Sequence, residues 1–237
     1  MSSLLHSVEL CGPAGRLEAL LTSGLPATPY AALVCHPHPP SGGTMHTKAV
    51  YHAQKAFAHL GLPTLRFNFR GVGRSEGTYD NGVGEMDDVR AALDWLAAQF
   101  HLPILCAGFS FGAVMALAAG GSDPRVRGLI ALGLPVRATG RDYDYSFLAH
   151  CPQPKLFLSG DHDEFCPAGF LERTVAIAPG SSTTILIPGA DHFFLGTPAS
   201  PAPKLDAMRR ALESWLATTF HLSAPTTSAG SAGSHSA

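Results

Sequence analysis

The chain has 237 residues, of which 46% are hydrophobic, and its formal net charge at pH 7 is −2. This length suits one large α/β domain, which can bury a full hydrophobic core without needing disulfide bonds for stability. The near-neutral charge offers no basic surface for nucleic acid or an anionic membrane, and no apolar run approaches the roughly 18 residues of a membrane span.

Apolar runs and helical spacings alternate along the sequence. Strands are predicted at residues 8–10, 16–21, 31–35, 63–69, 103–107, 126–132, 155–159 and 183–187. Helices are predicted at residues 48–60, 86–100, 113–119, 169–178 and 203–220. The first two strands flank a Gly-Pro turn and predict a hairpin at a sheet edge. The alternation that follows predicts an α/β fold with a mostly parallel central sheet and helices on both faces.

Domain organisation follows from what interrupts this alternation. No repeat and no linker divides the chain, so residues 1–222 are expected to form one domain. Residues 223–237 are small and polar and predict a disordered C-terminal tail. The segment 133–154 is too short for an inserted lid, so we expect no cap domain and an open site.

The compartment can also be predicted. The five cysteines are odd in number and form no C-x-x-C pair, which argues against a disulfide framework and favours a reducing environment. The N-terminal residues lack the basic region and apolar core of a signal peptide. We therefore expect a cytoplasmic protein.

The most informative motif is the G-x-S-x-G sequence at residues 108–112, which lies between an apolar strand and a helix of small residues. A sharp strand-to-helix turn projects the central side chain, Ser110, out of the sheet edge and points backbone N–H groups at the same place. Flanking glycines are needed because a Cβ there would press the helix against the strand. Ser110 is thus a candidate nucleophile.

A serine nucleophile needs a base, and the base needs a carboxylate that orients it. Asp163 follows the strand at 155–159, and His192 follows the strand at 183–187, so both belong to loops at the carboxyl edge of the sheet. The order Ser, Asp, His is the usual one for this type of turn. Asp161 is the alternative acid.

An oxyanion hole needs two N–H donors. The first is expected from the backbone of Phe111, the residue after the nucleophile. The second is expected from the loop at 36–40, where the prolines have no N–H, so His38 is the first free donor.

Two other patterns are better explained without a ligand. His36-x-His38 lacks a matched third ligand, so we predict a structural loop and no metal. The glycines of residues 71–77 do not fit G-x-G-x-x-G spacing, so we predict no nucleotide and no other cofactor. Arg70 and Arg74 beside them are expected mainly to anchor this loop.

Several motifs together carry a family resemblance: Cys-His-Pro-His-Pro at 35–39, Gly-Gly-Thr-Met at 42–45, Arg-Phe-Asn-Phe-Arg-Gly-Val-Gly-Arg-Ser at 66–75, the Gly-Phe-Ser-Phe-Gly turn, and the late Asp and His. The chain resembles small bacterial α/β-hydrolases without a cap domain, which are predicted serine esterases distantly similar to dienelactone hydrolases. The resemblance covers residues 8–220. It implies the α/β-hydrolase fold and a triad of Ser110, Asp163 and His192. The cysteine nucleophile of true dienelactone hydrolases is absent.

These observations favour a serine hydrolase that cleaves small carboxylic esters with short acyl chains. The same triad would serve a thioesterase, a lactonase or a peptidase, and a hydrolase fold can also persist as a binding module without turnover. The expected partner is a small-molecule ester, and a homodimer is possible through an exposed sheet edge.

Overall fold

The computed structural model describes residues 4–138 and 140–225. Its strands are β1 (Leu5–Gly12), β2 (Gly15–Thr22), β3 (Ala31–Cys35), β4 (Thr64–Phe67), β5 (Ile104–Phe109), β6 (Val126–Leu132), β7 (Arg137–Ala138), β8 (Arg141–Asp142), β9 (Lys155–Gly160) and β10 (Ser182–Ile187). Its helices are α1 (Lys48–His59), α2 (Val83–Phe100), α3 (Phe111–Gly121), α4 (Ala168–Ala176) and α5 (Leu205–Phe220). Single 3-10 turns occur at Pro39–Ser41 and Ser146–His150.

Eight strands form one sheet in the spatial order β1-β2-β4-β3-β5-β6-β9-β10. The hairpin of β1 and β2 joins β4 in antiparallel fashion, and the other neighbours pair in parallel. The predicted α/β class with a mostly parallel sheet is therefore confirmed.

The central strand β5 shows why the sheet is covered on both faces. All six of its residues are buried, and successive side chains point to opposite faces. Ile104 and Cys106 pack in a cluster with α2 and α3, whereas Leu105 and Ala107 pack in a second cluster with α1 and α5. A fully apolar strand of this kind is stable only between two layers of helices.

The chain reverses its direction across the sheet at β3. It continues to β4 on one side of β3 and then crosses back to β5 on the other side. The carboxyl ends of β3 and β5 are adjacent, because Cys35 pairs with Gly108 in the register. The loops that leave these two ends diverge, and this opens the crevice where ligands bind in open α/β sheets.

Some features differ from the sequence prediction. The small hairpin of β7 and β8 was not predicted, because strands of two residues show no periodicity. Helix α2 begins at Val83 rather than Met86, since Glu85 accepts hydrogen bonds from the N–H groups of Asp80 and Gly82 and so organises the first turn. Within its described residues, the segment 133–154 holds only this hairpin and one 3-10 turn, in agreement with the absence of a cap domain.

The remaining expectations on organisation stand as predictions. The predicted tail at 223–237 lies outside the described residues from position 226 onward. None of the helices in the described ranges has the length and apolar character that a bilayer crossing requires.

Candidate active site

Ser110 occupies the turn between β5 and α3. Its backbone has φ 55° and ψ −122°, a conformation that L residues rarely adopt. Such a residue costs on the order of 1–3 kcal/mol and persists only where the surroundings enforce it. Here the enforcement comes from a buried strand on one side and a buried helix on the other, and the outcome is a serine held out at the sheet edge.

The glycines of the motif are required by close backbone approaches. A Cβ on Gly108 would overlap the carbonyl of Gly112, where the turn folds back on the strand. A Cβ on Gly112 would overlap the carbonyls of Cys35 and His36 at the end of β3. The glycines therefore let α3 start directly against two strands, as the sequence pattern predicted.

His192 reaches Ser110 from the loop between β10 and α5. Its Nε2 lies 3.0 Å from the Ser110 Oγ, and the residue is only 4% exposed. The rings of Phe165 and Phe109 pack on the imidazole at centroid distances of 4.6 and 5.2 Å. These two rings limit rotation of the imidazole and exclude water from its faces.

Asp163 lies behind the imidazole, in the loop after β9. Both of its carboxylate oxygens are 2.9 Å from the Nδ1 of His192. Because an ionised carboxylate only accepts, Nδ1 carries the proton and Nε2 can accept the hydroxyl proton of Ser110. Three groups distant in the chain thus form one continuous chain of hydrogen bonds.

The ionised state of Asp163 is supported by its surroundings. Burial by itself would raise the pKa of this carboxyl, but hydrogen bonds from His192, from the Ser159 hydroxyl at 2.7 Å and from the Phe165 N–H at 2.9 Å outweigh it, and the net pKa is lowered. Ser159 was not singled out by sequence. Its position at the end of the strand that leads into the acidic loop was the available signal.

Asp161, the alternative acid, occupies a different place. Its Oδ1 accepts hydrogen bonds from the Nδ1 of His162 at 2.6 Å and from the N–H of Gly189 at 2.8 Å. The structure brings Asp163, and not Asp161, against His192.

The two expected oxyanion donors flank Ser110. Phe111 is the first residue of α3, where N–H groups lack intrahelical acceptors. His38 lines the same cavity as Ser110, and its N–H donates to no other group among the residues that the structure describes. Its ring bridges the Ser41 Oγ at 2.9 Å and the Tyr79 hydroxyl at 3.0 Å, and this fixes the side chain against the wall.

His36 anchors the loop that carries His38. Its Nδ1 donates to the Pro37 carbonyl at 2.7 Å, and its Nε2 accepts from the Phe69 N–H at 3.0 Å. Burial lowers the pKa of this histidine to about 4, because it penalises the charged ring. Both ring nitrogens thus form hydrogen bonds with backbone groups, as expected for a histidine with a structural role.

Two polar residues at the end of the buried strand β4 hold the next part of this loop. The Asn68 Oδ1 accepts from the Met45 N–H at 2.9 Å, and the Arg66 Nη1 donates to the Met45 carbonyl at 2.7 Å. Sequence reasoning missed these roles. The signal was present, since polar side chains that alternate with buried apolar ones need buried partners.

The cavity beside Ser110 has a volume of about 240 Å³. Its walls come from the loop at 37–47, from the His192 loop and from Ala138 of β7. Phe165 and Phe193 contribute apolar surface, and Phe193 is 49% exposed. Phe194 is instead fully buried, so the two adjacent phenylalanines divide between the cavity and the core.

The arginines of the glycine loop are anchors. Arg70 forms a bidentate ion pair with the fully buried Asp88, with a shortest distance of 2.7 Å. Arg74 pairs with Glu18 at 2.9 Å. Within 4–138 and 140–225, no three His, Cys, Asp or Glu side chains are grouped so as to hold a metal ion.

Comparisons with known proteins identify the family of this chain. Residues 31–219 match the model of a family described as an alpha/beta hydrolase domain. An uncharacterised protein of Rickettsia prowazekii (strain Madrid E) is 42% identical over 193 residues, which are 77% of this chain and 79% of that protein.

Solved structures give the same result. A protein of Coxiella burnetii described as an alpha-beta serine hydrolase homologue is 35% identical, with a TM-score of 0.77 over 91% of this chain and 98% of the other. A serine hydrolase without lid from Xanthomonas campestris is 32% identical, with a TM-score of 0.77 over 95% and 99% of the two chains. A dienelactone hydrolase of Anabaena variabilis shares the fold at 19% identity, with a TM-score of 0.74 over 94% and 99%. The predicted resemblance to capless hydrolases is thereby confirmed.

Proposed function

Since the chain belongs to the alpha/beta hydrolase family, we propose that it is a serine hydrolase that cleaves small carboxylic esters. The observation that carries the proposal is the hydrogen-bonded chain from Ser110 through His192 to Asp163, with links of 3.0 and 2.9 Å. These distances fall in the range that proton transfer between nucleophile and base requires.

The proposed reaction proceeds in two halves. In the first, the Ser110 Oγ attacks the ester carbonyl carbon while the His192 Nε2 takes the hydroxyl proton, and the oxyanion is held by the N–H groups of Phe111 and His38. The tetrahedral intermediate then breaks its bond to the alkoxy oxygen, which leaves as the alcohol with the proton from His192.

In the second half, His192 takes a proton from water as the water oxygen attacks the acyl carbon. Collapse of this second intermediate breaks the bond to Ser110, releases the carboxylic acid and returns the proton to the serine. Asp163 stays ionised throughout and stabilises the imidazolium that forms twice. Each donor of the oxyanion hole contributes roughly 3 kcal/mol of transition-state stabilisation.

Cavity size supports a short acyl group. The volume of about 240 Å³ lies below that of cavities that hold drug-sized ligands, which start at roughly 300 Å³. Phe165 and Phe193 offer an apolar wall to a small alkyl chain. The hairpin of β7 and β8 touches the cavity only through Ala138 among its described residues, so the entrance stays open to solvent.

A fluorophosphonate test examines the proposal directly. Intact-protein mass after treatment should show a single adduct that is absent from Ser110→Ala and present in Ser122→Ala, a matched control at the other end of α3. Hydrolysis of acetyl, butyryl and decanoyl esters should then fall with chain length. A Ser110→Ala variant that keeps its turnover contradicts the assignment of Ser110 as the nucleophile, and a folded wild-type protein that forms no adduct favours a non-catalytic binding module. Faster turnover of thioester, lactone or amide probes than of esters would change the proposed substrate class to the one that reacts fastest.

A further inference from the structure

A second and larger cavity lies away from Ser110. It has a volume of about 580 Å³ and is bounded by α1, α5, the strands β1, β2 and β4, and the segment at 224–225. Among the described residues, its lining includes four basic side chains and no acidic one: Lys55, His59, Arg66 and Arg209. The proposed ester hydrolysis uses none of these side chains.

One stripe of α1 faces this cavity. It consists of Tyr51, Gln54, Lys55, Ala58 and His59, which follow the spacing i, i+3, i+4, i+7 and i+8. In a surface helix, a stripe of this spacing is normally the apolar one that packs on the core. In α1 the residues that pack on the core are Val50, Ala53 and Phe57, so the helix presents a second, more polar stripe to this open cavity.

Arg66 is the central group of the cavity. The residue is only 5% exposed, yet it forms no ion pair within the described ranges. Its Nη1 donates to the Met45 carbonyl, and its Nε is buried without a hydrogen-bond partner among the described residues. Burial lowers the pKa of this guanidinium because the charged form is penalised. A buried charge is ordinarily paired with an opposite one, and no such partner lies against Arg66 in the part of the chain that the structure describes.

A second cation without an ion-pair partner in 4–138 and 140–225 is the exposed Lys55, which together with Arg66 lies against the ring of Tyr51. The Lys55 Nζ is 5.5 Å and the Arg66 Cζ is 5.6 Å from the centroid of Tyr51. The ring attracts each cation modestly, but a neutral phenol brings no negative charge that would compensate either of them. An anion in the cavity, which both side chains line, would be attracted by each.

Arg209 is already neutralised and contributes little. Its Nη1 is 2.6 Å from a carboxylate oxygen of Glu213, and its Nε is 3.5 Å from one of Asp206. The uncompensated positive charge of the cavity therefore comes from Lys55 and Arg66.

We propose that this cavity binds a small oxyanion, a phosphate or a carboxylate group, through the Arg66 guanidinium and the Lys55 ammonium. The planar guanidinium can offer Nη2 to one anion oxygen, while the ammonium on its flexible stem reaches another. The same Arg66 holds the Met45 carbonyl, so the bound anion would contact the residue that anchors the loop beside Ser110.

Isothermal titration calorimetry tests the site with inorganic phosphate and with citrate, each at pH 7.5 and at ionic strength held constant with sodium chloride. With two charge-assisted contacts, we expect saturable binding with Kd on the order of 1 mM. Lys55→Gln should weaken binding about tenfold, the lower end of the effect of losing one hydrogen bond to a charged group. Lys48→Gln is the matched control, because this exposed lysine is on the same helix and does not line the cavity.

The outcomes separate clearly. Saturation by phosphate but not citrate, or the reverse, supports the proposal and identifies the oxyanion. Absence of saturable binding for both overturns it, as does equal weakening by Lys48→Gln and Lys55→Gln, which would indicate a general charge effect. Arg66→Lys is the second variant for the same titrations, because it keeps the positive charge but loses the planar guanidinium and its several N–H donors. All titrations can be repeated on Ser110→Ala, so the result does not depend on the proposed esterase activity.

Discussion

Replacement of Asp163 by asparagine isolates the part that tautomer control plays in the proposed reaction. In the native site, Oδ1 accepts from the N–H groups of Phe165 and Cys166, whereas Oδ2 accepts from the Ser159 hydroxyl. An asparagine would keep its carbonyl oxygen at the Oδ1 position, because only an acceptor satisfies two backbone N–H groups. Its NH2 group would then take the Oδ2 position and point at the imidazole.

This arrangement reverses the tautomer of His192. Nδ1 lies 2.9 Å from both oxygen positions, but the carbonyl at the Oδ1 position already accepts from two backbone N–H groups, so Nδ1 would instead accept from the NH2 group at the Oδ2 position. The proton would move to Nε2, which is 3.0 Å from the Ser110 Oγ and could no longer accept the hydroxyl proton. Loss of the correct tautomer costs about 10⁴-fold in turnover in serine hydrolases, equivalent to about 5.5 kcal/mol of activation free energy.

The assay is hydrolysis of a short-chain ester at pH 7.5, with initial rates measured for wild type, Asp163→Asn and Asp161→Asn. We expect Asp163→Asn to lower kcat about 10⁴-fold with little change in KM. The control Asp161→Asn makes the same chemical change two residues away and should stay close to wild type. If Asp163→Asn keeps more than a tenth of the wild-type rate in a folded protein, the argument from the tautomer is refuted.

Two further predictions concern stability. The depressed pKa of His36, about 4 against 6.5, means that the unfolded state binds a proton first as the pH falls. The free energy of unfolding should be constant above about pH 6.5 and should fall by roughly 2 kcal/mol at pH 5. When it is measured by urea unfolding, His36→Gln should abolish most of this pH dependence. A variant with the same dependence of unfolding free energy on pH would show that other groups cause it. Gly112→Ala should destabilise the fold by about 3 kcal/mol or more, since its Cβ would lie 2.5 Å from the Cys35 carbonyl oxygen. Gly169→Ala is the control, because its Cβ would have Arg173 Nη1 at 3.9 Å as its nearest neighbour. Its free energy of unfolding should equal that of wild type to within about 0.5 kcal/mol or be slightly higher. Equal effects of the two substitutions would contradict the steric explanation of Gly112.

The features that sequence predicted correctly depend on short-range physics. The turn at Ser110 needs only a strand, a helix and small residues between them, and all of these are adjacent in the chain. The mostly parallel sheet follows from continuous apolar runs alternating with helical spacings, because each run can be buried only between two helical layers. The absence of a cap domain follows from the length of segment 133–154 alone.

Other features required contacts between residues that are far apart in the chain. Asp161 and Asp163 both lie in the loop after β9, and only packing against His192, 29 positions further on, distinguishes them. The hairpin of β7 and β8 escaped prediction because two-residue strands are defined by their pairing and not by a pattern.

The polar residues in and just after β4 show most clearly which features local sequence determines and which depend on the tertiary structure. From the sequence, Arg66 and Asn68 are unexpected polar groups in a buried strand, and nothing local says what they bind. The folded chain brings the Met45 N–H to Asn68 and the Met45 carbonyl to Arg66, and Arg66 also lines a cavity. Local sterics and periodicity thus determined the elements and the position of the candidate nucleophile. The partners of each buried polar group were decided by the tertiary structure, because a hydrogen bond depends on where two distant segments meet.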